Sequence, residues 1–162
     1  MYYLIVLAVL AIDQFVKFLI VKNFDVGESM TVIKGILEIT YYQNNQSALG
    51  LRLLGGNMSL MILVTVVLLG ALSVYFFKFG KKEHFTLKIS IALIVGGGIG
   101  NLIDRVAYGY VVDMINFVAF PKIWHYIFNV ADAAICVGCA VLLIYVVFFD
   151  KDDKQEKRSE GK

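Results

Sequence analysis

The sequence predicts a mainly α-helical membrane protein, with four transmembrane helices and a small extracytoplasmic β-sheet in the connections between them. Of the 162 residues, 59% are hydrophobic, 17% are charged and one is proline. A soluble domain is about 45–50% apolar and about 25% charged. The mean hydropathy of +0.76 points the same way. A soluble core of this size cannot absorb so much apolar surface, whereas a bilayer can.

Four apolar segments are predicted to span the membrane, at about residues 2–21, 58–77, 85–104 and 128–149. Residues 58–77 contain no charged side chain and would form about 30 Å of helix, the thickness of the hydrocarbon layer. The first segment lacks a basic leader region and a small-residue cleavage site, so we expect a retained helix rather than a removed signal peptide. Residues 1–149 are thus predicted to form a single membrane domain.

The distribution of basic residues predicts the orientation of the four spans. Lys78, Lys81, Lys82 and Lys88 flank the second connection, and five more basic residues lie in the charged tail, residues 150–162. The other two connections, at about 22–57 and 105–127, are longer but carry fewer lysines and arginines. The positive-inside rule therefore predicts that both termini and the tail are cytoplasmic. The net charge of +2 is too small and dispersed to indicate binding to nucleic acid.

The two outer connections contain strand-like sequence. Thr31–Tyr42 is rich in β-branched and aromatic residues, and Leu49–Leu54 is predicted to pair with it around a turn at residues 43–46. Tyr110–Phe120 forms a further strand-like stretch. Together with Trp124 and Tyr126, these segments predict a small sheet and an aromatic rim at the outer membrane interface.

Polar residues are expected to meet at the outer level of the membrane. Polar groups inside a bilayer are costly and usually face a bundle interior or a wet cavity. Structural interpretations exist for each group: an i,i+4 ion pair for Asp13 and Lys17, a helix cap for Asn129 and Asp132, and a local ion pair for Asp104 with its neighbour. The residues that converge are Asp13, Lys17, Asn44, Asn101, Asp104, Arg105, Asp113, Asn129 and Asp132.

Most other reactive groups are predicted to play no part in chemistry. Cys136 and Cys139 lie in an apolar run and are expected to be small hydrophobic residues on a buried helix. His84 and His125 are predicted on opposite sides of the membrane, which disfavours a metal site, and Ser47 lacks the context of a serine nucleophile. Neither a metal nor a cofactor is expected.

Carboxylates remain as the candidate catalytic groups. Two aspartates that share a site hold one proton between them, so one can activate water while the other donates to a carbonyl oxygen. Asp104, Asp113 and Asp132 lie at the right depth, and composition alone does not choose among them. A proton-conducting or transport bundle and a structural subunit are the competing hypotheses. Conduction would need polar groups through the full thickness, and the inner half is apolar.

Five motifs, in order along the chain, resemble lipoprotein signal peptidase (signal peptidase II) from about Tyr3 to Phe149. They are Asp13-Gln14-x-x-Lys17, Asn44 with Ala48-x-Gly50, Gly100-Asn101-x-x-Asp104-Arg105, Val111-Val112-Asp113 and Phe128-Asn129-x-Ala131-Asp132. Residues 46–49 depart from the family pattern, which usually has Gly-Ala-Ala and an aromatic residue after the two asparagines. Met114 likewise stands where an aromatic residue is common.

The resemblance implies a bacterial inner-membrane aspartic endopeptidase, inhibited by globomycin, that removes the signal peptide of a diacylglyceryl-modified prolipoprotein before the lipidated cysteine. It implies that Asp113 and Asp132 form the catalytic dyad, near the outer membrane face. The remaining polar residues would bind the substrate or support the dyad, and the enzyme is expected to be a monomer among membrane lipids. These supporting residues are Asn44, Asn101, Arg105, Asn129, Asp13, Lys17 and Asp104.

Overall fold

The computed structural model describes residues 2–45, 57–79, 83–119 and 126–149, and it confirms a helical protein with one small sheet. In this part of the chain, four helices are long and apolar enough to cross a membrane. The helices are α1 (Tyr2–Asn23), α2 (Met58–Phe79), α3 (Phe85–Tyr108) and α4 (Val130–Phe148). The strands are β1 (Ser29–Ile33), β2 (Leu37–Asn44), β3 (Val111–Phe117) and β4 (Ile127–Phe128).

Helix α3 is the centre of the bundle. Half of its most apolar 18-residue window is buried within the protein, against 17% for α1 and α4 and 6% for α2. The other three helices all pack against α3. Their remaining surfaces expose large apolar side chains, such as Leu63 and Val67 on α2 and Leu143 on α4. Such surfaces are stable facing lipid tails, which are as apolar as leucine.

Close packing between α3 and α4 depends on glycine. A Cβ atom on Gly97 would overlap the carbonyl oxygen of Ala131 on α4. On the α4 side, a Cβ on Gly138 would lie 2.9 Å from the carbonyl oxygen of Ser90. Small residues let helix backbones approach in this way, which is a common means of helix association in membranes.

The sheet joins the two connections that lie at one end of the bundle, which we call the sheet end. Its strands are antiparallel in the order β1-β2-β3-β4. Strand β2 comes from the α1–α2 connection and β3 from the α3–α4 connection, and they pair with Tyr42 opposite Asp113 and Asn44 opposite Val111. Both connections are therefore fastened to each other on the same side of the bundle.

The structure corrects the predicted strand at Thr31–Tyr42. This segment is a hairpin of β1 and β2, and the chain turns at Gly35, whose φ of 73° favours glycine. Gln43 and Asn44, predicted to lie in a turn, continue β2. The other parts of that prediction, Leu49–Leu54 and Trp124, lie outside the described residues.

Apolar side chains hold the sheet against the bundle. Val112 and Met114 on β3 pack with Tyr41 and with Ile20 near the end of α1. Met114 is 1% exposed, so its flexible thioether fills a position in this core. Because side chains alternate along a strand, Asp113 points to the face opposite Val112 and Met114.

Replacement of Gly97 by alanine is expected to destabilise the protein by about 1–3 kcal/mol, because the added methyl group forces α3 and α4 apart. Gly70→Ala on α2 is the matched control. A Cβ there meets nothing within 4 Å, so the better helix propensity of alanine should leave stability unchanged or slightly raised. Thermal unfolding in detergent micelles measures both, and equal midpoints would contradict the close approach.

Candidate active site

All nine polar residues singled out in the sequence meet in one hydrogen-bonded cluster at the sheet end, which we call the polar network. Every helix except α2 contributes to it, together with strands β2 and β3. Asp13 and Lys17 lie on α1, and Asn101, Asp104 and Arg105 lie on α3. Asp132 lies on α4 and Asn129 caps that helix, while Asn44 lies on β2 and Asp113 on β3.

Lys17 lies at the base of the polar network, between two buried carboxylates. Its Nζ is 2.9 Å from Asp13 Oδ2 and 2.9 Å from Asp104 Oδ2. All three side chains are at most 4% exposed. The ion pair between Asp13 and Lys17 within α1, expected from their spacing, is thus extended to α3.

One lysine can balance only one of the two carboxylate charges, and backbone amides help to stabilise both carboxylates. Asp13 Oδ1 accepts from the backbone N–H of Ala131, in the first turn of α4, at 2.8 Å. Asp104 Oδ2 accepts from the N–H of Val112 on β3 at 3.0 Å. A buried carboxylate is stable only when such donors replace water. The two aspartates therefore join α1 to α4 and α3 to the sheet.

Two features of this base differ from the sequence-based interpretation. In the part of the chain that the structure describes, Asp104 forms its ion pair with Lys17 and makes no hydrogen bond with its neighbour Arg105. Gln14 lies in the first motif but is not among the predicted site residues, yet its amide donates to Asp104 Oδ1 at 3.0 Å and to Asp13 Oδ2 at 3.2 Å. Its position beside Asp13 in an apolar run was the available signal.

Lys17 also determines which way the Asn101 side chain faces. The ammonium donates to Asn101 Oδ1 at 3.1 Å, and because an ammonium only donates, the amide oxygen must face it. The Asn101 NH₂ group then faces Asp132 and donates to its Oδ1 at 2.7 Å. Asn129 Nδ2 reinforces this orientation by donating to the same Asn101 oxygen at 3.0 Å.

Asn129 caps α4 and contacts both candidate catalytic aspartates. Its Oδ1 accepts from the backbone N–H of Asp132 at 2.8 Å, while its own backbone N–H donates to Asp132 Oδ2 at 3.3 Å. This is the capping box that the spacing predicted. Since the amide oxygen is occupied by the cap, the NH₂ group is left to donate to Asp113 Oδ1 at 2.6 Å.

Asp113 is fully buried on β3 with an amide donor at each carboxylate oxygen. Asn129 donates to Oδ1, and Asn44, its diagonal neighbour on β2, donates to Oδ2 at 2.8 Å. Burial, with the nearby Asp132 charge as the second cause, raises the pKa of Asp113 to about 7, against the lowering effect of the two amides. This carboxyl therefore exchanges its proton near neutral pH.

Asp132 and Arg105 form the more open side of the polar network, since both are partly exposed. Arg105 Nη1 donates to the backbone oxygen of Asn101 at 3.3 Å, one turn earlier in α3. Its Nε is buried and has no hydrogen-bond partner among the described residues. The guanidinium thus presents an unsatisfied donor beside the two aspartates, with which it interacts electrostatically.

The remaining reactive groups lie away from the polar network or outside the described residues. Cys136 and Cys139 are free and exposed on the surface of α4, which corrects the prediction that they lie on a buried helix. Ser47 and His125 are not among the described residues. In the described ranges, no three His, Cys, Asp or Glu side chains are grouped closely enough to hold a metal ion.

Comparison with known proteins gives consistent matches along almost the whole chain. The family model described as signal peptidase (SPase) II matches residues 5–148. A lipoprotein signal peptidase of Halothermothrix orenii is 41% identical over 146 residues, 90% of this chain and 94% of the relative. One from Listeria monocytogenes serotype 4b (strain CLIP80459) is 42% identical over 153 residues, 94% of this chain and 97% of the relative.

Solved structures agree with these sequence matches. A bacterial membrane enzyme solved by the in meso method at 2.3 Å resolution has a TM-score of 0.81 and 33% identity, over 90% of this chain and 87% of that one. A second, at 1.9 Å resolution, has a TM-score of 0.79 and 33% identity, over 92% and 93% of the two chains.

Replacement of Lys17 by methionine is expected to destabilise the protein by about 3–5 kcal/mol, because two buried carboxylates lose their shared cation. Lys22→Met, at the exposed end of the same helix, should change stability by less than about 0.5 kcal/mol. Adding Asp104→Asn to Lys17→Met should recover part of the loss. Denaturant unfolding in micelles measures the three variants, and equal effects of the two lysine changes would contradict the assignment.

The contribution of Asp113 to the stability of the protein should fall as pH rises from about 4 to about 7. Its pKa is raised from 3.8 to about 7, so in this window the folded state binds a proton that the unfolded state has lost. Above pH 7 this contribution levels off. Asp113→Asn should flatten that part of the profile of unfolding free energy against pH, whereas Asp25→Asn, at an exposed site, should not. An unchanged profile in Asp113→Asn would contradict the raised pKa.

Proposed function

The chain belongs to the signal peptidase II family of membrane peptidases, and from that premise we propose that it is an aspartic endopeptidase that removes the signal peptide of diacylglyceryl-modified prolipoproteins. Asp113 and Asp132 would be the catalytic pair, and cleavage would occur before the lipidated cysteine. The observation that supports this assignment most directly is that one residue, Asn129, hydrogen-bonds to both carboxylates.

The bridge through Asn129 supports a shared water between the two aspartates. The backbone N–H and the side-chain NH₂ of Asn129 donate to Asp132 and Asp113, which links both carboxylates to the start of α4. A second bridge runs from Asp113 through Asn129 and Asn101 to Asp132. Two carboxyl groups held in this manner are the arrangement that aspartic peptidases need.

In the proposed reaction, the pair starts with one proton between its two carboxyl groups. The ionised carboxylate removes a proton from water, and the resulting hydroxide oxygen bonds to the scissile carbonyl carbon. The protonated partner gives its proton to the carbonyl oxygen, forming a tetrahedral diol. Collapse of the diol breaks the C–N bond as one carboxyl group gives its proton to the leaving amine and the other carboxylate takes a proton from a diol hydroxyl, which leaves the pair with one proton again. The pKa values that govern these steps belong to the pair rather than to either aspartate.

The supporting residues would direct hydrogen-bond donors at the catalytic pair and at the substrate. Asn44 and Asn101 each donate to one of the carboxylates, so they orient the oxygens that must accept the water proton. The unpartnered Arg105 Nε is suited to a substrate backbone carbonyl, because such an oxygen would satisfy a buried donor. Asp13, Lys17 and Asp104 would keep Asn101 and the neighbouring donors in position.

In the orientation that the lysines predict, this site would lie toward the outer face of the bacterial cytoplasmic membrane, with both termini inside. A signal peptide would then reach the dyad laterally from the bilayer. The diacylglyceryl group would remain among the lipids and so fix the depth of the scissile bond. The sheet, fastened to the bundle by Val112 and Met114, would cover the substrate at that depth.

Asp113→Asn and Asp132→Asn should each reduce cleavage of a purified diacylglyceryl-prolipoprotein by roughly 10⁴-fold or more. In each variant the remaining aspartate cannot both activate water and donate a proton to the carbonyl oxygen. Asp25→Asn, on the exposed connection after α1, should retain full activity. The assay follows release of the signal peptide in micelles and compares variants with matched thermal unfolding.

Three outcomes would decide against this proposal. Normal turnover in either folded aspartate variant would refute the dyad. An Asp132-dependent ion flux in liposomes, without cleavage, would favour a transport function. A purified wild-type protein that never cleaves a lipidated prolipoprotein, while remaining folded, would favour a structural role.

A further inference from the structure

An apolar cavity of about 280 Å³ lies at the end of the bundle opposite the sheet, between α1, α2 and α3. Its walls include Tyr2 and Tyr3 at the start of α1 and Phe76 and Phe77 at the end of α2. The Tyr3 and Phe77 rings are stacked with their centroids 6.1 Å apart, and Tyr2 meets Phe76 edge to face. No residue of the polar network lines the cavity.

The cavity exists because of the way that α2 packs. Only 6% of the most apolar window of α2 is buried, and the helix packs against α3. Helix α1 also packs against α3, so the space between α1 and α2 is floored by Ile91, Ala92 and Val95 of α3. An apolar space of this kind remains dry, and within a bilayer it is filled by hydrocarbon.

The cavity lies within the half of the bundle that one leaflet of a bilayer would cover. Val95, its deepest residue on α3, is ten positions after Phe85, where the helix starts. Ten residues of helix extend about 15 Å, which is half of the hydrocarbon thickness. The lining extends over residues 2–7 of α1 and 73–77 of α2, about 6–8 Å of helix, so the cavity can hold a segment of one acyl chain near this end of the bundle.

In the described part of the chain, lysines lie near the surface end of the cavity. Residues 78–88 contain four lysines and one acidic residue, Glu83. Lys88 places its Nζ 5.6 Å from the ring centroid of Tyr2, which is itself a cavity wall, and Lys78 is exposed in the last turn of α2. A chain buried in the cavity would carry its headgroup to these ammonium groups.

We infer that this cavity binds one acyl chain of an anionic phospholipid, whose phosphate contacts Lys88 and Lys78. Lysines near a membrane surface attract acidic headgroups, and the concave aromatic wall retains the chain below. The same charge disfavours the helix of a signal peptide as the occupant, because such peptides begin with a positively charged region. The site is separate from the proposed peptidase site and does not rest on it.

Native mass spectrometry of the full-length protein in a neutral detergent tests the inference. Phosphatidylglycerol and phosphatidylcholine with the same acyl chains are added in turn, and the fraction of protein that retains lipid is measured. We expect stronger retention of phosphatidylglycerol. Lys88→Gln should weaken its apparent affinity by about fivefold and leave phosphatidylcholine unchanged.

Matched variants separate this site from lipid bound elsewhere. Lys22→Gln is the charge control, because Lys22 lies over the Phe18 ring at 5.9 Å but at the sheet end of α1. It should retain phosphatidylglycerol like the wild type. Ser73→Phe adds a ring inside the cavity and should reduce retention of both lipids, whereas Val67→Phe, on an exposed part of α2, should not.

The inference would be overturned by equal retention of the two lipids in the wild type together with no effect of Lys88→Gln. Retention that Ser73→Phe leaves intact would equally place the lipid elsewhere. Displacement of bound phosphatidylglycerol by a synthetic signal peptide, with cross-linking of that peptide to Phe76, would assign the cavity to the substrate instead. The cleavage assay is independent of all these outcomes, so failure here is distinguishable from failure of the proposed function.

Discussion

The burial of Lys17 between Asp13 and Asp104 is the constraint on which the rest of the polar network depends. Removing three charged groups from water is costly, and it is tolerated because each ion finds several partners at about 3 Å. Those partners belong to different elements: Ala131 opens α4 and Val112 lies on β3. The position of the lysine therefore determines how three helices and the sheet meet, and small shifts of any one would leave a buried charge unpaired.

The contacts of Lys17 and of the helix cap fix which end of each asparagine side chain faces the two candidate catalytic carboxylates. An ammonium has no acceptor, so it forces the oxygen of Asn101 inward and the NH₂ group of Asn101 toward Asp132. The helix cap does the same for Asn129, whose NH₂ group is left for Asp113. Two ordinary structural devices, an ion pair and a capping box, thus direct donors at functional groups. The structural interpretations drawn from the sequence and the proposed catalytic role are consistent with each other, because the same contacts serve both.

The two ends of the bundle differ in the kind of side chain that they bury. The sheet end carries buried charge that packing must hold rigidly, and glycines help by bringing the elements together: a Cβ on Gly100 would lie 2.6 Å from Asp13 Oδ2. At the opposite end the cavity is lined almost entirely by apolar side chains, α2 buries little of its surface, and Lys78 is exposed. A membrane protein can leave an apolar gap there at little cost, because lipid fills it, whereas a gap in the polar network would leave charges without partners.

Sequence alone determined the four helices, the polar residues that gather at one end of the bundle and the motifs of the family, because hydrophobic length and residue spacing are local properties. It also predicted the Asp13–Lys17 pair and the Asn129–Asp132 cap, which join residues within one turn of helix. Tertiary structure decided the rest. Only it showed that Asp104 pairs with Lys17 rather than with Arg105, that Gln14 belongs to the network, and that Thr31–Tyr42 is a hairpin paired to β3. Such contacts join segments up to 90 residues apart in the chain, and their geometry depends on how the helices pack, which no local pattern specifies.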